Sequence, residues 1–277
     1  MTEVDVRSDG VLLSGEQAGD GPPIVLLHGL TATRRYVVMR SRLLERSGHR
    51  VIAYDARGHG RSTPAPAPRA YGYKDLSGDL RAVLDATGSE RAVLAGASMG
   101  AHTALRFALE QPSRVAALAL ITPSYDPARA ASAGELSAWD ALAGGLRREG
   151  VEGFVRAYDL EAVPARWRET VEKVLRQRLS AHEHPLAVAD ALETVPRSRP
   201  FENMQHLGAI RAPAVVVGSR DDADPGHPLA VAERYASAIP GASLIVEERG
   251  SSPLAWQGGQ LSRVIGELAA RAGVGGA

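Results

Sequence analysis

Six short apolar runs, at residues 24–27, 51–54, 92–95, 116–121, 214–217 and 244–246, punctuate the chain, each continuous rather than alternating. Continuous apolar character suits strands covered on both faces, as in a parallel sheet. Between the runs the spacing becomes helical. Leu76, Leu80, Val83 and Leu84 fall on one stripe, as do Leu229, Ala232, Tyr235 and Ala236, and Leu261, Val264, Ile265 and Leu268. Strand followed by helix, repeated, predicts a doubly wound, mostly parallel α/β sheet.

The repetition is interrupted once. From about residue 123 to 207 no apolar run reads as a buried strand, while helical patterns occupy 136–146, 151–160, 166–179 and 185–195. Pro185 after His184 marks a helix start, because proline is accommodated in the first turn. The pattern predicts a core made of residues 1–122 and 208–277, with a helical cap, 123–207, inserted between two strands. Trp139, Phe154, Trp167 and Phe201 lie in that insertion, as the cap's own small core or as walls of a pocket. Its arginines, Arg147, Arg148, Arg156, Arg166 and Arg168, read as a solvated helix face more readily than as a site for an acidic substrate.

Composition narrows the function classes. Lysine plus arginine equals aspartate plus glutamate at 32 each, so no net field draws the chain to nucleic acid or anionic lipid. There is no cysteine, which excludes disulfides, thiolate metal sites and a cysteine nucleophile. The acidic N-terminus lacks a signal-peptide core and no apolar run is long enough to span a bilayer, which predicts a cytoplasmic protein. No P-loop and no Gly-x-Gly-x-x-Gly after a strand are present, so no cofactor or metal is expected. The expected partner is a small molecule; oligomeric state is not written in the sequence.

Three loop motifs carry candidate chemistry. After the run at 92–95 comes Gly96-Ala97-Ser98-Met99-Gly100, then a helical pattern: G-x-S-x-G in a strand–turn–helix context. The run at 24–27 ends in His28-Gly29-Leu30-Thr31, and the run at 51–54 leads into Asp55-Ala56-Arg57-Gly58-His59-Gly60-Arg61-Ser62. Together these segments resemble the α/β-hydrolase fold superfamily over nearly the whole chain except the cap. The resemblance implies Ser98 as a nucleophile on a tight elbow, with the Leu30 and Met99 amides as an oxyanion hole. It makes His28 a brace for its turn and gives the Asp55–Ser62 segment an architectural role.

Family order is nucleophile, acid, histidine. The loop after the run at 214–217 is Gly218-Ser219-Arg220-Asp221-Asp222-Ala223-Asp224-Pro225, which resembles the family's Gly-x-x-Asp-x-x-x-Pro; the resemblance implies Asp221 as the acid ahead of Asp222 or Asp224. Asp222 and Asp224 read as a solvated acidic loop and Pro225 as the opening of the next helix. The histidine position after the last strand is occupied by Ser252, and no histidine follows His227. A serine hydroxyl is not basic near neutral pH and cannot take the nucleophile's proton. Four explanations are open at this level. Another histidine substitutes: His227 beside the acid loop, His102 one turn into the elbow helix, or the cap histidines His182, His184 and His206. On position alone each has a bland reading, His227 flanking a helix start, His102 packed beside the sheet, the cap histidines on the surface. Otherwise Ser98 and the two amides polarise a carbonyl without a base, the protein binds a ligand without turning it over, as in plant gibberellin receptors, or Ser252 is an engineered replacement that traps a complex. The functional expectation is a hydrolase of a small carboxylic ester, lactone or related carbonyl compound with an atypical triad. Its competitor is a small-molecule binding protein or non-hydrolytic enzyme on the same scaffold.

Overall fold

The computed structural model describes residues 1–129, 132–248, 256 and 258–274. The described strands are β1 (Thr2–Ser8), β2 (Val11–Ala18), β3 (Pro23–Leu27), β4 (Arg50–Tyr54), β5 (Ala92–Ala97), β6 (Val115–Ile121), β7 (Ala214–Gly218) and β8 (Ser243–Val246). They form a sheet in the order β1-β2-β4-β3-β5-β6-β7-β8. All pairs from β4 to β8 are parallel; β2 runs antiparallel to β4 and to β1. The described helices are α1 (Leu43–Arg46), α2 (Tyr73–Ala86), α3 (Met99–Glu110), α4 (Ala133–Ala157), α5 (Arg168–Leu179), α6 (Pro185–Thr194), α7 (Leu229–Ala238) and α8 (Gly258–Arg271).

Alternate residues of the central strands feed two apolar layers. Val25, Leu94, Leu118 and Val216 pack on the face covered by α2, α3 and α7, while Ile24, Val93, Ala117 and Val215 face α1 and α8. Burial on both faces is why these strands read as unbroken apolar runs. The six expected strands and the three helical stripes are all present, and the fold class read from the sequence is the observed one.

The β1–β2 hairpin is an addition. Its first strand alternates, with Val6 buried while Glu3, Asp5 and Arg7 face solvent, so it lacks the continuous signature. The signal was in the turn: Asp9 and Gly10 both take positive φ, 42° and 82°, as a tight two-residue hairpin turn requires and as an Asp-Gly pair favours.

Between β6 and β7 the described residues contain helices and no strand. The helices expected at 136–146 and 151–160 are joined into α4, which breaks at Glu149 and Gly150; Gly150 has φ 62°, a conformation glycine adopts without a Cβ penalty. α4, α5 and α6 share an apolar cluster that includes Leu146, Phe154, Leu175, Leu179, Val188 and Leu192. Phe201 is not part of it; it packs in the main core against Tyr125 and Tyr235.

Candidate active site

Ser98 stands between the end of β5 and the start of α3 with φ 50° and ψ −112°. Positive φ at a residue with a side chain costs about 1–3 kcal/mol and persists only where the surroundings enforce it. Here they do. A Cβ at Gly96 would run into the Gly100 carbonyl, and a Cβ at Gly100 into the Leu27 carbonyl of β3. The two glycines therefore let α3 approach β5 and β3 closely enough to lift Ser98 out of the strand.

The Ser98 hydroxyl donates to Nε2 of His227 at 2.8 Å, and the His227 Nδ1–H donates to the Asp224 carboxylate, 2.8 Å from each oxygen. Both partners come from the loop between β7 and α7. A turn in which the His227 amide donates to the Asp224 carbonyl at 3.3 Å sets the two side chains together. Burial opposes the charge on Asp224, but the imidazole, its hydrogen bond and the positive charge of Arg178 hold this carboxyl below the ordinary carboxylate range. An imidazole so placed can take a proton from the hydroxyl it faces.

Several expectations change. The acid expected at Asp221 does not meet the imidazole; Asp224 does, and an Asp221 carboxylate oxygen accepts from the Ala223 amide at 2.8 Å. The spacing argument assumed a histidine arriving from the last loop. With the histidine on the acid's own loop, the residue three positions before it is the one in reach. Asp222 pairs with Arg166 of the cap. Pro225 does not open α7, whose N-cap is Pro228; the segment between stays a turn, which is what aims His227. The position of Ser252 lies outside the described residues.

His102 is not near-equivalent to His227. Its Nδ1–H donates to the Tyr73 hydroxyl at 3.0 Å and its Nε2 accepts from the Ser124 and Tyr125 amides, both at 3.1 Å. Both ring nitrogens are thus engaged away from Ser98. Burial, with a smaller contribution from His227, pushes its pKa down to about 3.

The His28 turn lies against the elbow: a Cβ on Gly29 would be 3.5 Å from the Ser98 Cβ. His28 Nδ1–H donates to the Gly29 carbonyl and Nε2 accepts from the Ala56 amide, each at 2.8 Å. Asp55 accepts from the Arg34 amide at 2.8 Å and from the Arg61 amide at 3.1 Å. Arg57 forks onto Asp79 at 2.7 Å through both contacts, in a fully buried pair. Among the described residues the Leu30 and Met99 amides donate no hydrogen bond to protein, which leaves two donors beside Ser98.

Sequence reading left His182 on the surface, yet it is buried. Its Nδ1 accepts from the Gly60 amide at 2.8 Å and its Nε2–H donates to the Thr31 carbonyl at 3.0 Å, tying the cap to the turn that carries Leu30. His28, His59 and His182 pack in a row, the first pair tilted and the second edge-to-face, with ring centroids 5.2 and 5.5 Å apart. Burial lowers the pKa of all three, His182 to about 4. These rings and His102 are neutral in the fold, whereas the unfolded chain protonates them near 6.5. Their contribution to stability is complete above that pH and is lost as pH falls toward the folded values, because the unfolded state then binds more protons. The unfolding free energy from urea titrations is expected to fall between pH 7 and pH 4.5 by an amount on the order of a few kcal/mol, and a value unchanged over that range refutes this.

A cavity of about 530 Å³ opens above Ser98, walled by Leu30, Trp139, Leu142, Phe154 and Val174 and reached by His227 and Arg178. Trp139 and Phe154 are thus pocket walls, while Trp167 is not among the lining residues. The cap arginines Arg147, Arg156, Arg166 and Arg168 are held in ion pairs outside it. Arg178 was passed over in the sequence because nothing in an amphipathic helix distinguishes it from its neighbours. Among the described residues no three histidine or acidic side chains are grouped to hold a metal, and no helix is long and apolar enough to cross a membrane.

A serine raised on an elbow above a parallel sheet, facing an imidazole and two free amides under a helical roof, defines the hydrolase class of α/β proteins. The chain belongs to the α/β-hydrolase fold family, whose model matches residues 22–251. It is 34% identical over 205 residues, covering 74% of this chain and 75% of the relative, to a proposed carbamate hydrolase, RutD, of Variovorax paradoxus strain S110. Among solved structures, the Est816 N-acyl homoserine lactone degrading enzyme superposes with a TM-score of 0.72 at 27% identity, covering 98% of this chain and 99% of that one. A thermophilic esterase from Thermogutta terrifontis reaches 0.80 at 26% identity, with the same coverage.

Proposed function

We propose that the protein is a serine hydrolase of small carboxylic esters or lactones. Ser98 is the nucleophile, His227 the general base and acid, Asp224 the carboxylate that orients the imidazole, and the Leu30 and Met99 amides the oxyanion hole. The observation that carries this reading is the continuous hydrogen-bonded line from the Ser98 hydroxyl through His227 to Asp224.

In the reaction Ser98 Oγ attacks the substrate carbonyl as His227 Nε2 takes its proton. The negative charge passes to the carbonyl oxygen, where two preorganised amides stabilise it, typically by about 3–4 kcal/mol for one such donor. His227 returns the proton to the departing alcohol oxygen, and water then repeats the sequence to release the acid. The names of the relatives, a lactone-degrading enzyme, an esterase and a proposed carbamate hydrolase, support attack on an acyl carbonyl. The competing reading, a binding protein that lost its base, was motivated by the residue at 252; an imidazole 2.8 Å from Ser98 supports the hydrolase reading over it.

A fluorophosphonate probe tests the reading directly. Labelling is expected to reach one probe per chain, at Ser98, and to vanish in Ser98→Ala together with hydrolysis of p-nitrophenyl acetate. If Ser98 resists the probe while ligands still raise the melting temperature, the protein binds without catalysis.

A further inference from the structure

Arg178, near the end of α5, brings a positive charge into the cavity that holds Ser98. The acidic groups lining the same cavity have protein partners: Asp224 holds His227, Asp159 accepts from the Glu161 and Ala162 amides, and Asp221 accepts from the Ala223 amide. Arg178 differs. Among the described residues its guanidinium makes no hydrogen bond or ion pair, and its Nε is buried without a partner. The guanidinium lies against the face of Tyr36, another lining residue, 5.4 Å from ring centroid to Cζ. A guanidinium offers five donors in a fixed fork; the buried Nε–H is unmet by protein, and the donors that face the cavity are open to water or to the acceptors of a ligand. The aromatic face orients the fork without using its donors.

Arg178 shares its cavity with Ser98, His227 and Asp224, and its charge helps hold the Asp224 carboxyl below the ordinary carboxylate range. The rest of the wall is mostly apolar. This combination asks for a substrate with an apolar body, a carbonyl for Ser98 and an anionic group for Arg178. Of the anions an ester or lactone commonly carries, a carboxylate matches the planar fork through two parallel hydrogen bonds.

We propose that Arg178 is a specificity-determining residue that binds a carboxylate on the substrate, so that the preferred substrates are half-esters of dicarboxylic acids or lactones bearing a free acid. This rests on the serine-hydrolase reading and narrows it. Arg147, Arg156 and Arg168 of the cap take no part, because each is paired with a glutamate.

The experiment compares matched substrates. Mono-p-nitrophenyl succinate is set against p-nitrophenyl butyrate, placing the carboxylate on the acyl side, and 4-acetoxybutanoate against butyl acetate, placing it on the alcohol side. In the unmodified protein at least one pair favours the anion in kcat/KM. Arg178→Met is expected to lower that preference ratio by about 10- to 100-fold, the range for one lost charge-assisted pair. Arg178→Lys restores part of it. No preference in either pair, or a preference that survives Arg178→Met, overturns the proposal. Binding of succinate and glutarate to Ser98→Ala by calorimetry separates the two readings. Arg178-dependent binding alongside an unlabelled Ser98 upholds the carboxylate site and refutes hydrolysis, whereas labelling without such binding or preference does the reverse.

Discussion

His227→Ala is expected to lower kcat for an activated ester by about 10⁴- to 10⁶-fold, with KM changed little, because a triad member acts on the chemical step as part of a unit. The reasoning starts from the hydroxyl. Ser98 is a weak nucleophile until its proton has somewhere to go, and among the described residues the acceptor on its oxygen is His227 Nε2. Alanine removes that acceptor and leaves the elbow, the two amides and the cavity in place, so residual catalysis at the level of transition-state binding remains. Fluorophosphonate labelling slows in parallel. Added imidazole is expected to restore part of the rate, since the truncated side chain leaves room for it next to Ser98. A His227→Ala protein that hydrolyses p-nitrophenyl acetate within tenfold of the original has its base elsewhere.

The elbow was legible because its geometry is forced by residue size. Gly96 and Gly100 are packed against carbonyls that exclude any Cβ, so G-x-S-x-G after an apolar run marks one backbone shape. The sheet was legible for a related reason: β3 to β7 are covered by helices on both sides, and burial on both faces writes itself as uninterrupted apolar residues. β1 escaped because a strand exposed on one face alternates, and only its Asp9-Gly10 turn marked it.

The imidazole that meets Ser98 was named among the candidates but not chosen, and the carboxylate that meets the imidazole stands three residues after the one that was chosen. Both belong to the segment between β7 and α7, where no periodicity relates sequence to direction. Two turns, Asp221 to Asp224 and Asp224 to His227, decide which side chains converge there, and turn geometry in a stretch with three aspartates and two prolines is not fixed by residue type. Arg178 and His182 were illegible in a different way. Each looks ordinary along its own helix or loop, and each acquires meaning from a partner more than a hundred residues away, Tyr36 for the first and Gly60 and Thr31 for the second.

Asp224→Asn and Asp221→Asn are expected to part company, and the comparison decides which carboxylate serves the imidazole. Asp224→Asn lowers kcat by about 10²- to 10⁴-fold. An amide can present its NH₂ to Nδ1, which moves the ring proton to Nε2 and leaves nothing there to accept from Ser98. A carboxylate accepts only, so it enforces the productive tautomer and stabilises the imidazolium that forms during attack. Asp224 is equipped for this over a wide range, since its pairing holds it ionised below the pH at which an ordinary aspartate protonates; protonation of Asp224 therefore does not set the first acid loss of activity. Asp221→Asn stays within about tenfold, because the Asp221 contact to the Ala223 amide shapes the loop and an asparagine oxygen can accept the same bond. Steady-state rates for both variants, with far-ultraviolet circular dichroism to establish folding, make the comparison. A larger loss at 221 than at 224 would return the acid to the position that family spacing assigns and would detach His227 from the role given to it here.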